Sequence, residues 1–161
     1  MKSLIVKLNK SFYYGYVIIV LSAMTLFLSA PGQTFSISVF IKVYLEEFDI
    51  TSTQISSAYS IATLISGSLL VFMGKFVDRF GVKKMLVIVV IMLGLTTFFN
   101  SFVSSIYMLF FGFFLLRYFG QGSMTLIPET LVPQWFEKNR AFAISLASIG
   151  GLLAMLLVPS L

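Results

Sequence analysis

Four stretches of this chain are almost free of charge, and their lengths constrain the fold more than any other feature. Residues 11–41, 50–74 and 141–161 contain no Asp, Glu, Lys or Arg, and 85–128 contain only Arg117. About 20 apolar residues in a helix cross the roughly 30 Å hydrocarbon layer of a bilayer. Charged residues make up 11% of the 161 and hydrophobic residues 58%, whereas a soluble domain is about a quarter charged. Such a chain cannot cover a water-facing surface, so its main solvent is lipid. The expected fold is an all-α integral membrane bundle.

The runs supply five predicted transmembrane helices, at about 13–40, 52–75, 84–99, 105–128 and 141–161, with no separate soluble domain. The first run is too long for the apolar core of a secretory signal, and it has a weak point at Pro31-Gly32. The run 85–128 exceeds one crossing and divides at the polar cluster FNSFVSS, residues 99–105.

The cations between the spans alternate in number. Lys2, Lys7 and Lys10 precede the first span; Lys75, Arg79, Lys83 and Lys84 follow the second; Lys138 and Arg140 follow the fourth. The intervening connections hold only Lys42, beside Glu46, Glu47 and Asp49. Nine cations against one place the N-terminus and the segments 74–84 and 133–140 on the cytoplasmic side of a cell membrane. Tyr13, Tyr14, Tyr16, Tyr44, Tyr107 and Trp135 fall near span ends, where amphipathic rings prefer the headgroup level. The net charge of +5 forms no helical stripe, so the expected partner is the bilayer and not nucleic acid.

The chain has no cysteine and no histidine. Thiolate or imidazole metal sites and Ser/Cys–His catalysis therefore have no candidates. No catalytic residue, metal or cofactor is expected, and the chain is not expected to be an enzyme.

GKFVDRFGVKK, residues 74–84, is expected as a loop and asks for more than positive charge. Anchoring accounts for Lys75, Lys83 and Lys84, but not for Asp78 or the two glycines. Gly74 would suit a close helix approach. Gly81 would suit a turn with positive φ. Asp78 would cap a helix or face a helix N-terminus, with Arg79 and the lysines clustered around it. The pattern Gly74, Asp78, Arg79, Gly81, Lys83, Lys84 between the second and third spans resembles the loop signature of the major facilitator superfamily. RYFGQG (117–122) is similar to that family's arginine-plus-glycine motif, with the Gln-Gly order shifted. Ala143, Ala147 and Gly151 recur every four residues, a spacing for close helix packing. PGQTF and QWFEKNRAFA are similar to the monocarboxylate and oxalate–formate branch.

The resemblance implies an incomplete N-terminal half of a twelve-helix fold, five helices of it, with the C-terminal half missing. It implies secondary active transport of a small solute, an organic anion such as a monocarboxylate, by alternating access with a coupling proton. Asp78 would then latch onto a helix N-terminus of the second half. The alternative is a truncated, non-transporting membrane protein or scaffold.

Two polar residues within the spans are the candidate substrate or coupling sites. Arg117 sits near the bilayer midplane, where a charge costs at least roughly 2.5–3.5 kcal/mol. Glu129 is twelve residues on, about 18 Å along a helix, too far to pair with it. Arg117 is either a hydrogen-bond hub between helices or a cavity residue for an anion; the resemblance implies substrate binding or proton coupling. Gln33, after the Pro31-Gly32 weak point, is either a substrate contact or an interfacial glutamine. Ala58, Ala62 and Ser66 are spaced for packing, and Tyr59 and Thr63 for lining a cavity.

Overall fold

The computed structural model describes residues 14–136 and 139–160, which form helices joined by short turns, without a strand. Tyr13, Lys2, Lys7, Lys10 and Lys138 lie outside the described residues. Helix α1 (Tyr14–Leu28) and helix α2 (Thr34–Glu47) flank a 3₁₀ turn, Ala30–Gly32. Pro31 has no N–H to donate and cannot continue an α-helix cleanly. The chain tightens instead, with the Gly32 N–H on the Ser29 carbonyl and the Gln33 N–H on the Ala30 carbonyl, both at 3.0 Å. Gln33 is then extended, at φ −81° and ψ 149°. The stretch expected as one helix over 13–40 is therefore two helices. The second runs past Phe40 through Lys42 to Glu47, because hydropathy limits burial in lipid and not backbone hydrogen bonding.

Helix α3 (Ser52–Phe80) opens with a reciprocal cap. The Gln54 N–H reaches Thr51 Oγ1 at 3.3 Å, and the Thr51 N–H reaches Gln54 Oε1 at 2.8 Å. It passes Lys75, Asp78 and Arg79 and stops only at Gly81, with helix α4 (Val82–Asn100) starting at the next residue. Residues 74–84, expected as a loop, are helix on both sides of one glycine. Gly81 has φ 85° and ψ 147°, a conformation that a Cβ would resist. Its N–H still bonds the Val77 carbonyl at 2.9 Å, and its carbonyl accepts from Met85 N–H at 3.2 Å. One residue thus closes one helix and starts the next.

Helix α5 (Ile106–Leu115) is capped by Ser105, whose hydroxyl accepts from the Met108 N–H at 3.4 Å. It continues through a π-helical segment, Leu116–Ser123, into helix α6 (Met124–Trp135), well past Pro128 where the fourth helix was expected to end. Helix α7 (Arg140–Leu157) is followed by a 3₁₀ turn at Pro159. Among the described residues α3, α4 and α7 are each long and apolar enough to cross a membrane, and α1 is apolar but shorter. The other two paths are composite, one broken at Pro31 and one relayed through the π segment.

Three apolar clusters form among the described residues, and the run Ile106–Trp135 contributes to each. Leu109 and Phe113 pack with Ile37, Ile55 and Ala62. Leu116, Met124 and Ile127 pack with Met73, Val77 and Val89. Val132 packs with Ile18, Ile19, Ala143 and Ala147. Many buried positions hold small residues, such as Ala62, Ala143, Ala147, Ala154, Ser29 and Ser123, while Leu64, Phe98, Phe142 and Leu156 are exposed. That inversion of the soluble pattern is what lipid demands: large apolar groups outside, small ones where backbones approach.

The tightest approach joins α7 to α1. A Cβ on Gly150 would meet the Ala23 carbonyl, whereas one on Gly151 would meet nothing within 4 Å. The close-packing position in α7 is therefore Gly150 and not the expected Gly151, since the buried face runs Ala143, Ala147, Gly150, Ala154. Gly150→Ala is expected to cost about 1–3 kcal/mol by overpacking, read as a lower unfolding midpoint in detergent. Gly151→Ala should leave the midpoint unchanged or raise it, since Ala is the better helix former; equal losses would refute the contact.

Candidate functional site

The site grows from the crossing of the two irregular stretches. A Cβ on Gly32 would strike the Leu116 carbonyl and the Gly120 backbone, and a Cβ on Gly120 would strike Gly32. Two glycines thus let the 3₁₀ turn lie backbone-to-backbone on the π segment. The π segment is wound one residue wider per turn: the Met124 N–H bonds the Phe119 carbonyl, and Ser123 Oγ donates to the Tyr118 carbonyl at 2.7 Å. Arg117 projects from this segment beside the crossing.

Arg117 Nη1 donates to Thr34 Oγ1 at 3.1 Å, and Thr34 Oγ1 is 3.1 Å from the Tyr59 hydroxyl. The guanidinium carbon also lies 5.0 Å from the centre of the Tyr59 ring, within cation–π range. Three elements therefore meet at one cation: the start of α2, the first third of α3 and the π segment. Beyond this contact Arg117 borders a groove of about 290 Å³ between α3 and the Arg117 run. Thr63 and Ser66 line one wall, and Arg117, Gln121, Thr125 and Glu129 the other. Thr63 Oγ1 donates to the Tyr59 carbonyl at 2.8 Å and Ser66 Oγ to the Thr63 carbonyl at 2.9 Å. A larger cavity of about 630 Å³ lies between Phe27, Pro31, Phe40, Asn100 and Phe113. It is mostly apolar and no charged side chain among the described residues lines it.

Gln33 is placed differently from Arg117. Its Nε2 donates to Ser29 Oγ at 2.9 Å, and Ser29 Oγ donates to the Leu26 carbonyl at 2.7 Å. The amide ties down the break and does not line the Arg117 groove.

Around Gly81, Asp78, Arg79, Lys83 and Lys84 are exposed, and Gly74 has open space where a Cβ would go. The close approach expected at Gly74 is made instead by its neighbours Met73 and Val77, which carry the buried face of α3. The expected cluster around Asp78 does not form: among the described residues it has no ion pair or hydrogen bond. The nearby cations turn to rings, Lys75 Nζ lying 5.5 Å from the Phe72 ring centre and the Arg79 guanidinium 5.5 Å from that of Phe80. Lys83 and Lys84 occupy the first turn of α4, where the helix dipole disfavours cations, so the helix itself gains nothing from them.

Sequence reasoning missed Thr34 and Gln121. Thr34 offered one signal, as the first residue of the helix after the break. Gln121 was read only as part of the RYFGQG string.

Apolar helices around a polar groove, with Arg117 at its edge, define an all-α integral membrane bundle. The family model of the Major Facilitator Superfamily matches residues 10–161, and the chain belongs to that family. It is therefore a membrane transporter protein of a family that is not enzymatic. No curated protein and no solved structure matches the chain.

Proposed function

We propose that the chain serves secondary active transport of a small organic anion, such as a monocarboxylate, by alternating access. The observation that supports this reading is the state of Arg117. Its contacts to Thr34 and Tyr59 use one N–H and one face of the guanidinium. An arginine has five N–H donors in a planar fork that suits a carboxylate. Arg117 borders the groove without an acid paired to it among the described residues. The similarity of PGQTF and QWFEKNRAFA to the monocarboxylate and oxalate–formate branch points to the same substrate class, with proton coupling as part of it.

In this reading a C-terminal half faces the groove, and the N-terminus, Gly81 and residues 133–140 lie in the cytoplasm. The lysines at the start of α4, unfavourable for the helix, are accounted for by that orientation. Asp78, exposed and unpaired, acts as the latch: it meets a helix N-terminus of the second half when the transporter faces outward.

In vesicles carrying the full-length protein, Arg117→Ala should lower uptake of radiolabelled small carboxylates at least about tenfold, the scale of 1.4 kcal/mol. Uptake equal to wild type would remove Arg117 from the substrate site. Asp78→Asn should shift the balance between outward- and inward-facing conformers and slow transport; wild-type behaviour in both would sink the latch. The lack of cysteine makes orientation directly testable with an impermeant maleimide on intact cells. Lys42→Cys should label at once and Lys83→Cys only after permeabilisation, and the reverse order would invert the bundle.

A further inference from the structure

The groove contains a side chain that its surroundings leave unsatisfied. Gln121 lines it one turn after Arg117, and Gln121 Oε1 is buried with no hydrogen-bond partner. The whole carboxamide makes no hydrogen bond to any described residue. Its neighbours differ: Thr63 and Ser66 spend their hydroxyls on their own helix, and Arg117 holds Thr34. A buried acceptor left unpaired costs roughly 1–3 kcal/mol, and polar atoms are seldom buried without a purpose.

We infer that Gln121 selects, among carboxylates bound at Arg117, those carrying a hydrogen-bond donor beside the carboxylate. This rests on the carboxylate reading of Arg117 and extends it. Side chains one helical turn apart are separated by about 6 Å at their Cβ atoms, so a carboxylate on Arg117 places the substituent of the adjacent carbon near Gln121. A hydroxyl there donates to Oε1 once the carboxamide turns that oxygen toward the groove, since it is otherwise buried out of reach of water. A C–H there leaves Oε1 unpaired, as it already is in the groove. The discrimination is therefore the hydrogen bond that the hydroxylated acid gains at an acceptor already stripped of water. Glu129 lies eight residues further along the same wall, about 12 Å at 1.5 Å per residue, too far to read the same substituent of a short acid.

The test uses the purified full-length protein and three matched pairs: acetate and glycolate, propionate and lactate, succinate and malate. Each pair differs by one hydroxyl on the carbon next to a carboxylate. Affinities are read from ligand-dependent shifts of the unfolding midpoint. In wild type the hydroxylated member of each binding pair should bind roughly tenfold more tightly, the scale of one buried hydrogen bond. In Gln121→Leu, and in the closer-sized Gln121→Met, that ratio should fall to about one. A merely structural glutamine would alter stability without moving the ratio. Equal affinities in wild type, or a preference that persists in both variants, would overturn the inference. Arg117→Ala separates the two readings. If it abolishes binding of both members while wild type shows no hydroxyl preference, the selection by Gln121 fails and the anion site stands. If it leaves both members bound, or if none of the six acids binds wild type, the anion site fails and takes the selection with it.

Discussion

The contact of Gly32 with Gly120 is the constraint from which the rest of the site follows. Non-helical backbone is tolerated at membrane depth only where protein or a water-filled cavity covers it. This chain has two departures from the α-helix within its apolar core, the 3₁₀ turn at Pro31 and the π segment at 116–123, and it lays one against the other. The carbonyls and N–H groups of the turn bond among Ser29, Ala30, Gly32 and Gln33. The π segment uses Ser123 and Met124 in the same way. Side chains at either glycine would force the two backbones apart. The crossing sets Thr34 opposite Arg117, so the polar contact is a consequence of the irregular backbone and not an addition to it.

That geometry also explains how a lone charge within an apolar helical run is held without an acid paired to it among the described residues. Insertion of an arginine at mid-depth costs at least roughly 2.5–3.5 kcal/mol. A cation–π contact contributes roughly 0.5–2 kcal/mol and a hydrogen bond from a charged group roughly 1.5–3 kcal/mol. Tyr59 and Thr34 supply one of each, which together are of the size of the penalty. The hub reading and the substrate reading of Arg117 are therefore compatible. The hub holds the cation through one N–H and one ring face and leaves its other donors without a described partner.

The helices were legible in the sequence because lipid imposes a length on apolar runs and charges rarely interrupt them. Their ends were not, because helices end where hydrogen bonding ends. Lys75, Asp78 and Arg79 look like a loop by polarity, yet each keeps a helical backbone, and the chain turns only at Gly81, whose positive φ the sequence did suggest. The break at Pro31-Gly32 was legible for a covalent reason, the missing proline N–H. The π segment was not, since one residue more per turn depends on how neighbouring helices pack. Arg117 announced itself as a lone charge, but its partners stand 83 and 58 positions away in sequence, and no periodicity links them. Within α7 the small-residue stripe was read correctly at Ala143 and Ala147, and only the third position slipped, from Gly150 to Gly151, because 3.6 residues per turn drifts from a strict repeat of four.

The run Ile106–Trp135 belongs to all three apolar clusters, and this bears on how such a bundle moves. Displacing it relative to α1, α3 or α4 would open a packed core at several levels at once. Each opened level costs roughly what a core cavity costs, 2–5 kcal/mol for a large side chain. Turning the bundle as one body costs none of these contacts, because the lipid-facing side chains trade one apolar neighbour for another. The single-residue joint at Gly81 adds to this, since a helix pair joined without slack cannot slide. Movement of the bundle as one rigid unit is therefore what this packing favours, with the Arg117 groove at the surface of the unit and not within it.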